Sequence, residues 1–234
     1  GSFKTKIFAD GANYKDIVNL NKNKLVSGFT TNPTLLKNNG INNYKLFANK
    51  VLKKIKDKPI SFEVISDKLS IMEKQAIQIN SWGDNVYVKI PVTNTKGEFC
   101  GPILKNLAAE KVKLNVTAIF TDQQVDRVLK SLKTDVKSCI SIFAGRIADT
   151  SIDPIGIMKR SQKKIKNTHC ELIWASPREV FNIIEANRIG CNIITVTPTL
   201  LNKFITNYKK NLNKFSIETV KMFYNDAKKS KLQI

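Results

Sequence analysis

The chain of 234 residues contains a single histidine, His169, and four cysteines, Cys100, Cys139, Cys170 and Cys191, none in a Cys-x-x-Cys pair. A zinc site has too few soft ligands to form from that stock, so no metal is expected, and no cofactor motif appears. Cys139 lies in an apolar run and reads as a small buried hydrophobe. No apolar run approaches the ~20 residues that cross a bilayer, which argues against a membrane partner. The opening Gly1-Ser2-Phe3-Lys4 carries no signal-peptide pattern, and Gly1-Ser2 reads as an expression scar. With no disulfide spacing either, a reducing cytoplasm is the expected location. No Gly-x-Gly-x-x-Gly follows the first apolar run, which removes the usual dinucleotide signature.

Arginine is also scarce. The 39 basic and 19 acidic residues give a formal charge of +20, yet only Arg127, Arg146, Arg160, Arg178 and Arg188 are arginines. A basic surface attracts nucleic acid, acidic membranes and anionic metabolites alike. The lysines are scattered among many Asn and Ile residues, whereas a nucleic-acid binder clusters its charge and uses more arginine for forked phosphate and base contacts. Nucleic acid is therefore not expected as the main partner.

What is present is ordinary globular composition, 42% hydrophobic and 25% charged. Eight short, β-branched, apolar runs recur along it. They are Lys6-Ile7-Phe8-Ala9, Val26-Ser27-Gly28-Phe29, Ile60 to Val64, Val86 to Ile90, Leu114 to Ile119, Cys139 to Ala144, Leu172-Ile173-Trp174-Ala175 and Ile193 to Val196. Near-continuous hydrophobicity suits parallel strands covered on both faces. Helical spacing separates them, as in Tyr44, Phe47, Ala48, Val51, Leu52 and Ile55, or Val180, Ile183, Ile184 and Ala186. Successive runs stand about 27 residues apart, close to the ~30 of one strand-helix unit. Eight such units predict a (β/α)8 TIM barrel in one domain over 1–234, with an open doubly wound sheet as the alternative. A last amphipathic stretch, Ser216 to Lys229, predicts an additional C-terminal helix that packs under the barrel or on a neighbouring subunit. Asn32-Pro33, Asp153-Pro154, Ser176-Pro177 and Thr197-Pro198 each pair a good N-cap with a proline at the first helical position.

Polar residues interrupt the apolar runs. Lys89 is the clearest, inside Val86-Tyr87-Val88-Lys89-Ile90-Pro91. Partial desolvation there would disfavour the ammonium and free an amine able to attack a carbonyl; a lysine snorkelling at the strand end, or paired with a carboxylate, is the plainer reading. Asp10 ends the first run, Asn32 follows the second, and Glu63 sits in the third. Asn115 and Thr117, two apart, point the same way in the fifth. Ser141 is in the sixth with Arg146 beyond it, and Ser176 and Arg178 follow the seventh. Singly, each is explained as a cap or a satisfied polar group. Together they would converge on one barrel mouth. Arg146, Arg178, the Ser176 hydroxyl and a helix starting at Pro177 would bind phosphate. Lys89 would supply covalent catalysis, Glu63 and Asp10 proton transfer, and Asn32 and Asn115 hydrogen bonds to hydroxyls. That set describes a metal-free aldol reaction on a sugar phosphate.

These residues resemble the transaldolase family. The matching segments are Phe8-Ala9-Asp10, Thr30-Thr31-Asn32-Pro33-Thr34-Leu35, Ser61-Phe62-Glu63-Val64, Val88-Lys89-Ile90-Pro91, Asn115-Val116-Thr117, Ser141 to Ile147 and Ala175-Ser176-Pro177-Arg178. The resemblance implies a (β/α)8 enzyme of the pentose phosphate pathway. It would move a dihydroxyacetone unit from fructose 6-phosphate or sedoheptulose 7-phosphate to erythrose 4-phosphate or glyceraldehyde 3-phosphate. It further implies Lys89 as the Schiff-base lysine, Asp10 as the acid/base at the donor C4 hydroxyl, and Glu63 with Thr117 holding the catalytic water. Asn32, Asn115 and Ser141 resemble the dihydroxyacetone-binding residues, and Arg146, Ser176 and Arg178 the phosphate site. The short chain is similar to a compact subgroup of ring-shaped homo-oligomers, often of ten copies.

The related fructose-6-phosphate aldolase branch resembles the same pattern but carries Gln at Glu63 and Tyr at Phe143. A tyrosine hydroxyl there helps protonate the enamine, favouring release of dihydroxyacetone; Phe143 has no proton to give. Ile142 stands where many relatives have proline, a change at a strand end. A non-catalytic basic binder of nucleic acid is the remote alternative.

Overall fold

The computed structural model describes residues 3–132 and 135–234. The Gly1-Ser2 dipeptide lies outside the described residues. The chain alternates strands and helices: β1 (Lys6–Asp10), α1 (Tyr14–Asn21), β2 (Val26–Thr30), α2 (Pro33–Asn38), α3 (Tyr44–Leu52), β3 (Ile60–Glu63), α4 (Leu69–Asn80), β4 (Val86–Pro91) and α5 (Gly101–Ala109). It continues with β5 (Leu114–Ile119), α6 (Asp122–Ser131), β6 (Ser138–Ile142), α7 (Ala144–Asp149), α8 (Ile155–Ile165), β7 (Cys170–Trp174), α9 (Phe181–Arg188), β8 (Ile193–Val196), α10 (Pro198–Asn207) and α11 (Leu212–Lys229). The eight strands are parallel and close in sequence order, β8 pairing back onto β1. This is the (β/α)8 barrel with a C-terminal helix that the spacing predicts, not the open sheet. Each predicted strand is present, with ends shifted by at most two residues.

The apolar runs fill the layer between barrel and helices, where Ile60, Phe62, Val86, Val88, Ile90, Val116 and Ile140 are fully buried. All four cysteines are buried and free. Burial pushes the Cys191 thiol up to about 12 and those of Cys100 and Cys170 to about 11, which leaves them inert as nucleophiles. Trp174 is buried in the core and Trp82 packs against it. No helix among the described residues is long and apolar enough to cross a membrane.

Two of the four proline caps hold. Asn32 and Thr197 accept from the amides of Leu35 and Leu200, with Pro33 and Pro198 beginning α2 and α10. The other two need correction. Pro154 itself caps α8, and the Asp153 carboxylate accepts from Ile155 N at 2.9 Å. No helix starts at Pro177: α9 begins at Phe181. The Asn182 side chain explains this. Its Oδ1 accepts from both Arg178 N and Glu179 N, fixing a turn before the helix. Ser176 stands at φ +52°, a left-handed conformation that cannot cap a helix. The last helix begins at Leu212 rather than Ser216, capped by Asn211, whose side chain accepts from Lys214 N. No residue of α11 is buried, so it does not pack under the barrel. Phe215, Val220, Met222 and Phe223 lie exposed along it.

Candidate active site

Side chains alternate along each strand, so those in register at every second residue face the barrel interior. Glu63 of β3 pairs with Lys89 of β4, and Lys89 with Asn115 of β5. The three therefore share one interior layer. Lys89 is only 6% exposed. Its Nζ donates to the Thr31 carbonyl at 3.1 Å. Among the described residues it forms no ion pair. The plainer reading, a lysine reaching solvent, does not hold.

Two carboxyls attend it. Burial raises both Asp10 and Glu63 above their ordinary values, while the charge of Lys89 pulls each back down. Asp10 also accepts from Thr30 Oγ1 at 3.0 Å, and the Thr30 and Thr195 hydroxyls meet in a very short contact. The Tyr44 hydroxyl donates to the Glu63 carbonyl at 2.9 Å and fixes the end of β3. The Tyr44 ring is wedged edge-on against Phe62 and Trp82.

A second set of bonds crosses the barrel beside the lysine. Asn115 is fully buried; its Nδ2 donates to Ser61 Oγ at 3.1 Å and its Oδ1 accepts from Ser141 Oγ at 2.8 Å. With both ends held, the amide has one orientation. Two residues on, Thr117 Oγ1 is buried and bonds to no group among the described residues. An orphan hydroxyl at such a position is costly unless it serves a ligand. Ala118 has φ +59°, and the β5–β6 register shifts between Val116 and Ile119. This bulge ends the pairing and re-aims the side chains beside it.

The loops after β6 and β7 form the arginine corner. Arg146 N, in the first turn of α7, donates to Ser176 Oγ at 3.1 Å. Arg178 is exposed and grips Asp149, Nη2 to Oδ2 at 2.5 Å and Nε to Oδ1 at 3.2 Å. Those hydrogen bonds hold the Asp149 carboxyl below its usual value, and the Arg146 charge acts in the same direction. Both guanidiniums thus serve one small region. Phe143 is half-buried, its ring 5.8 Å from that of Phe120. Asn32 is occupied as the α2 cap through Oδ1, leaving its Nδ2 protons to donate elsewhere.

The structure brings Asp10, Glu63, Lys89, Asn115, Thr117 and Ser141 onto strands lining one interior, Asn32, Phe143, Ser176 and Arg178 onto loops at the C-terminal ends of strands, and Arg146 onto the first turn of α7. Sequence reasoning missed Thr30, Ser61 and Thr195 as site residues. Each is a hydroxyl in an apolar run, the same signal that exposed Asn115. Tyr44 carried no such signal, because its spacing is that of a core position on α3.

A closed parallel barrel whose C-terminal end gathers a buried lysine, two carboxyls and two arginines defines the class: a (β/α)8 protein with its reactive groups at the mouth that such barrels use for catalysis. The family model described as Transaldolase/Fructose-6-phosphate aldolase matches residues 7–234, and the chain belongs to that family. Named relatives agree. The chain is 33% identical over 204 residues to "Probable transaldolase" of Nitrosopumilus maritimus, covering 86% of this chain and 87% of the relative. It is 31% identical over 227 residues to "Probable transaldolase" of Bartonella tribocorum, covering 96% and 97%. Among solved structures, an orotidine 5'-monophosphate decarboxylase from Metallosphaera sedula superposes with a TM-score of 0.54 at 12% identity, covering 82% of this chain and 88% of that one. That likeness concerns the fold alone.

The carboxyl of Asp10 carries a testable cost. Its folded value lies above its ordinary 3.8, so the folded state holds the proton more tightly than the unfolded one. Stability from this group is present at low pH and is lost as pH rises from 3.8 through the folded value. Asp10→Asn removes that loss. Its melting temperature should exceed that of the parent by about 2–4 °C at pH 8, for a gain of about 1 kcal/mol, and by less at pH 4. Calorimetry at the two pH values measures it.

Proposed function

We propose that this protein is a transaldolase acting on sugar phosphates of the pentose phosphate pathway in the cytoplasm. The observation that carries the reading is the Lys89 amine: buried, without an ion-pair partner among the described residues, and attended by two carboxyls whose charged forms burial disfavours. Lys89 Nζ adds to the C2 carbonyl of fructose 6-phosphate or sedoheptulose 7-phosphate. The carbinolamine loses water, with Glu63 carrying the proton and Thr117 Oγ1, unpartnered among the described residues, holding that water. Asp10 then takes the C4 hydroxyl proton. The C3–C4 bond breaks, its electron pair moves into the iminium to give an enamine, and the shortened aldose phosphate departs. The enamine carbon attacks the aldehyde of erythrose 4-phosphate or glyceraldehyde 3-phosphate, Asp10 returns its proton to the new hydroxyl, and hydrolysis frees Lys89.

Asn115, fixed by Ser61 and Ser141, and the Nδ2 of Asn32 supply hydrogen bonds to the dihydroxyacetone portion. Arg146, Arg178 and Ser176 receive the phosphate, with Asp149 giving up part of its hold on Arg178. The exposed apolar residues of α11 support a homo-oligomer in which this helix packs on a neighbouring copy. A monomeric mass by light scattering would remove that part.

Borohydride in the presence of fructose 6-phosphate is the direct test. It should reduce the iminium and leave a dihydroxyacetone-derived adduct on Lys89 alone, read by peptide mass. Absence of any adduct overturns the reading. Phe143 favours transfer over simple cleavage, because an apolar ring packed on Phe120 gives the enamine no proton. Without acceptor, free dihydroxyacetone should therefore form slowly. Phe143→Tyr should raise that release by about 10²-fold, the low end of what one positioned proton donor contributes. Rapid release by the unaltered protein would make it an aldolase instead.

A further inference from the structure

The barrel has a second mouth, at the N-terminal ends of the strands, across the interior from the arginine corner. A cavity of about 410 Å³ opens there. That volume falls within the ~300–1,000 Å³ of small-molecule pockets. Its inner wall is apolar: Phe8, Cys139 and Ile193 are buried, and Tyr87 packs against them. Gly28 permits this wall. A Cβ at that position would stand 2.6 Å from the tip of the Phe8 ring, so only glycine lets the ring reach across to β2.

The rim is charged. Lys6 is committed to Glu171 at 2.7 Å. Lys56, Lys113 and Lys137 also line the cavity and form no ion pair among the described residues. Two further carboxylates, Asp57 and Asp84, line it as well, so outside the Lys6–Glu171 pair the rim holds three ammoniums to two carboxylates. Lys113 lies 5.3 Å over the Tyr87 ring and donates to the Asp84 carbonyl. Burial holds it below the usual lysine value; Asp84 opposes that shift and Lys137 adds to it. Ammonium groups crowded beside an apolar chamber are relieved by an anion that brings its own apolar body. With the two carboxylates beside them, the three leave one net positive charge, which favours an anion over a neutral ligand.

We infer that this N-terminal mouth is a second binding site, for a small organic phosphate whose apolar portion sits against Phe8, Tyr87 and Cys139 and whose phosphate meets Lys56, Lys113 and Lys137. The site also touches the interior network. Ser61 lines the cavity and accepts from Asn115 Nδ2, and its own hydroxyl proton has no acceptor among the described residues. A ligand deep in the chamber would reach that hydroxyl, and through it Asn115. The inference stands on the cavity and its charges, independently of the reaction proposed above.

Phenyl phosphate and inorganic phosphate serve as probes, with binding followed by calorimetry on three full-length proteins. Arg146→Gln/Arg178→Gln, which disables the arginine corner, should still bind one phenyl phosphate. Lys113→Gln/Lys137→Gln should weaken that event by about tenfold or more, and Lys56→Gln, a single exposed change that spares the fold, by a smaller factor in the same direction. Inorganic phosphate should bind about tenfold more weakly than phenyl phosphate, because it lacks the body that the apolar wall would bury. No phenyl phosphate bound to the arginine variant overturns the inference, as does unchanged affinity in both lysine variants. Borohydride trapping at Lys89 would survive either result.

Discussion

Lys89→Met is expected to cut transfer of the dihydroxyacetone unit by about 10⁴-fold or more, equivalent to about 5.5 kcal/mol of lost transition-state stabilisation at 1.36 kcal/mol per decade. Methionine fills the same volume and leaves the surrounding packing in place. It has no electron pair able to form an iminium, so the enamine path closes. What remains is whatever the carboxyls and the phosphate site achieve by positioning alone. The fold should persist, because Lys89 contributes one hydrogen bond, to the Thr31 carbonyl. Steady-state assay with fructose 6-phosphate and erythrose 4-phosphate, with circular dichroism as the folding control, measures both. Residual activity within about tenfold of the parent would take the lysine out of the mechanism.

Gly145→Ala is expected to have the second large effect. A Cβ on Gly145 would lie 1.6 Å from the Ser176 carbonyl oxygen, and no rotamer can relieve a clash with backbone. Either the Ser176 turn or the start of α7 must move. Both carry the arginine corner, since Ser176 Oγ accepts from Arg146 N and Arg178 lies two residues beyond. Overpacking against backbone costs about 3 kcal/mol, or about 6–12 °C in melting temperature for a chain of this size. If Arg146 and Arg178 bind substrate phosphate, KM for phosphorylated substrates should rise by about tenfold or more while free dihydroxyacetone as donor is affected less. A variant with parent-like melting and KM would show that the corner tolerates displacement and does not hold the phosphate.

The two expectations differ in how far the sequence anticipates them. Lys89 is legible as a charge in a strand that must be buried on both faces, and it lies buried in β4. Asn115, Thr117 and Ser141 are legible for the same reason. Gly145 is not, because its partner lies 31 residues away and nothing local announces the approach. Ser176 is misread as a helix cap, since Ser-Pro favours that role locally; Asn182 takes the preceding amides and delays α9 to Phe181. Tyr44 is hidden within an amphipathic pattern that it also satisfies, as a core ring that happens to carry a hydroxyl.

By itself, then, the sequence determined the eight-unit barrel and the strands that bear its polar groups. Strand period, burial pattern and proline punctuation are properties of short stretches of chain, and eight near-equal repeats leave few ways to close. Only the tertiary structure decided which partners those groups have: the Thr31 carbonyl for Lys89, Ser61 and Ser141 for Asn115, Asp149 for Arg178, and the lysine-rimmed chamber at the opposite mouth. Each depends on segments far apart in the chain arriving within about 3–4 Å, a distance over which hydrogen bonds and ion pairs form and which no local pattern encodes.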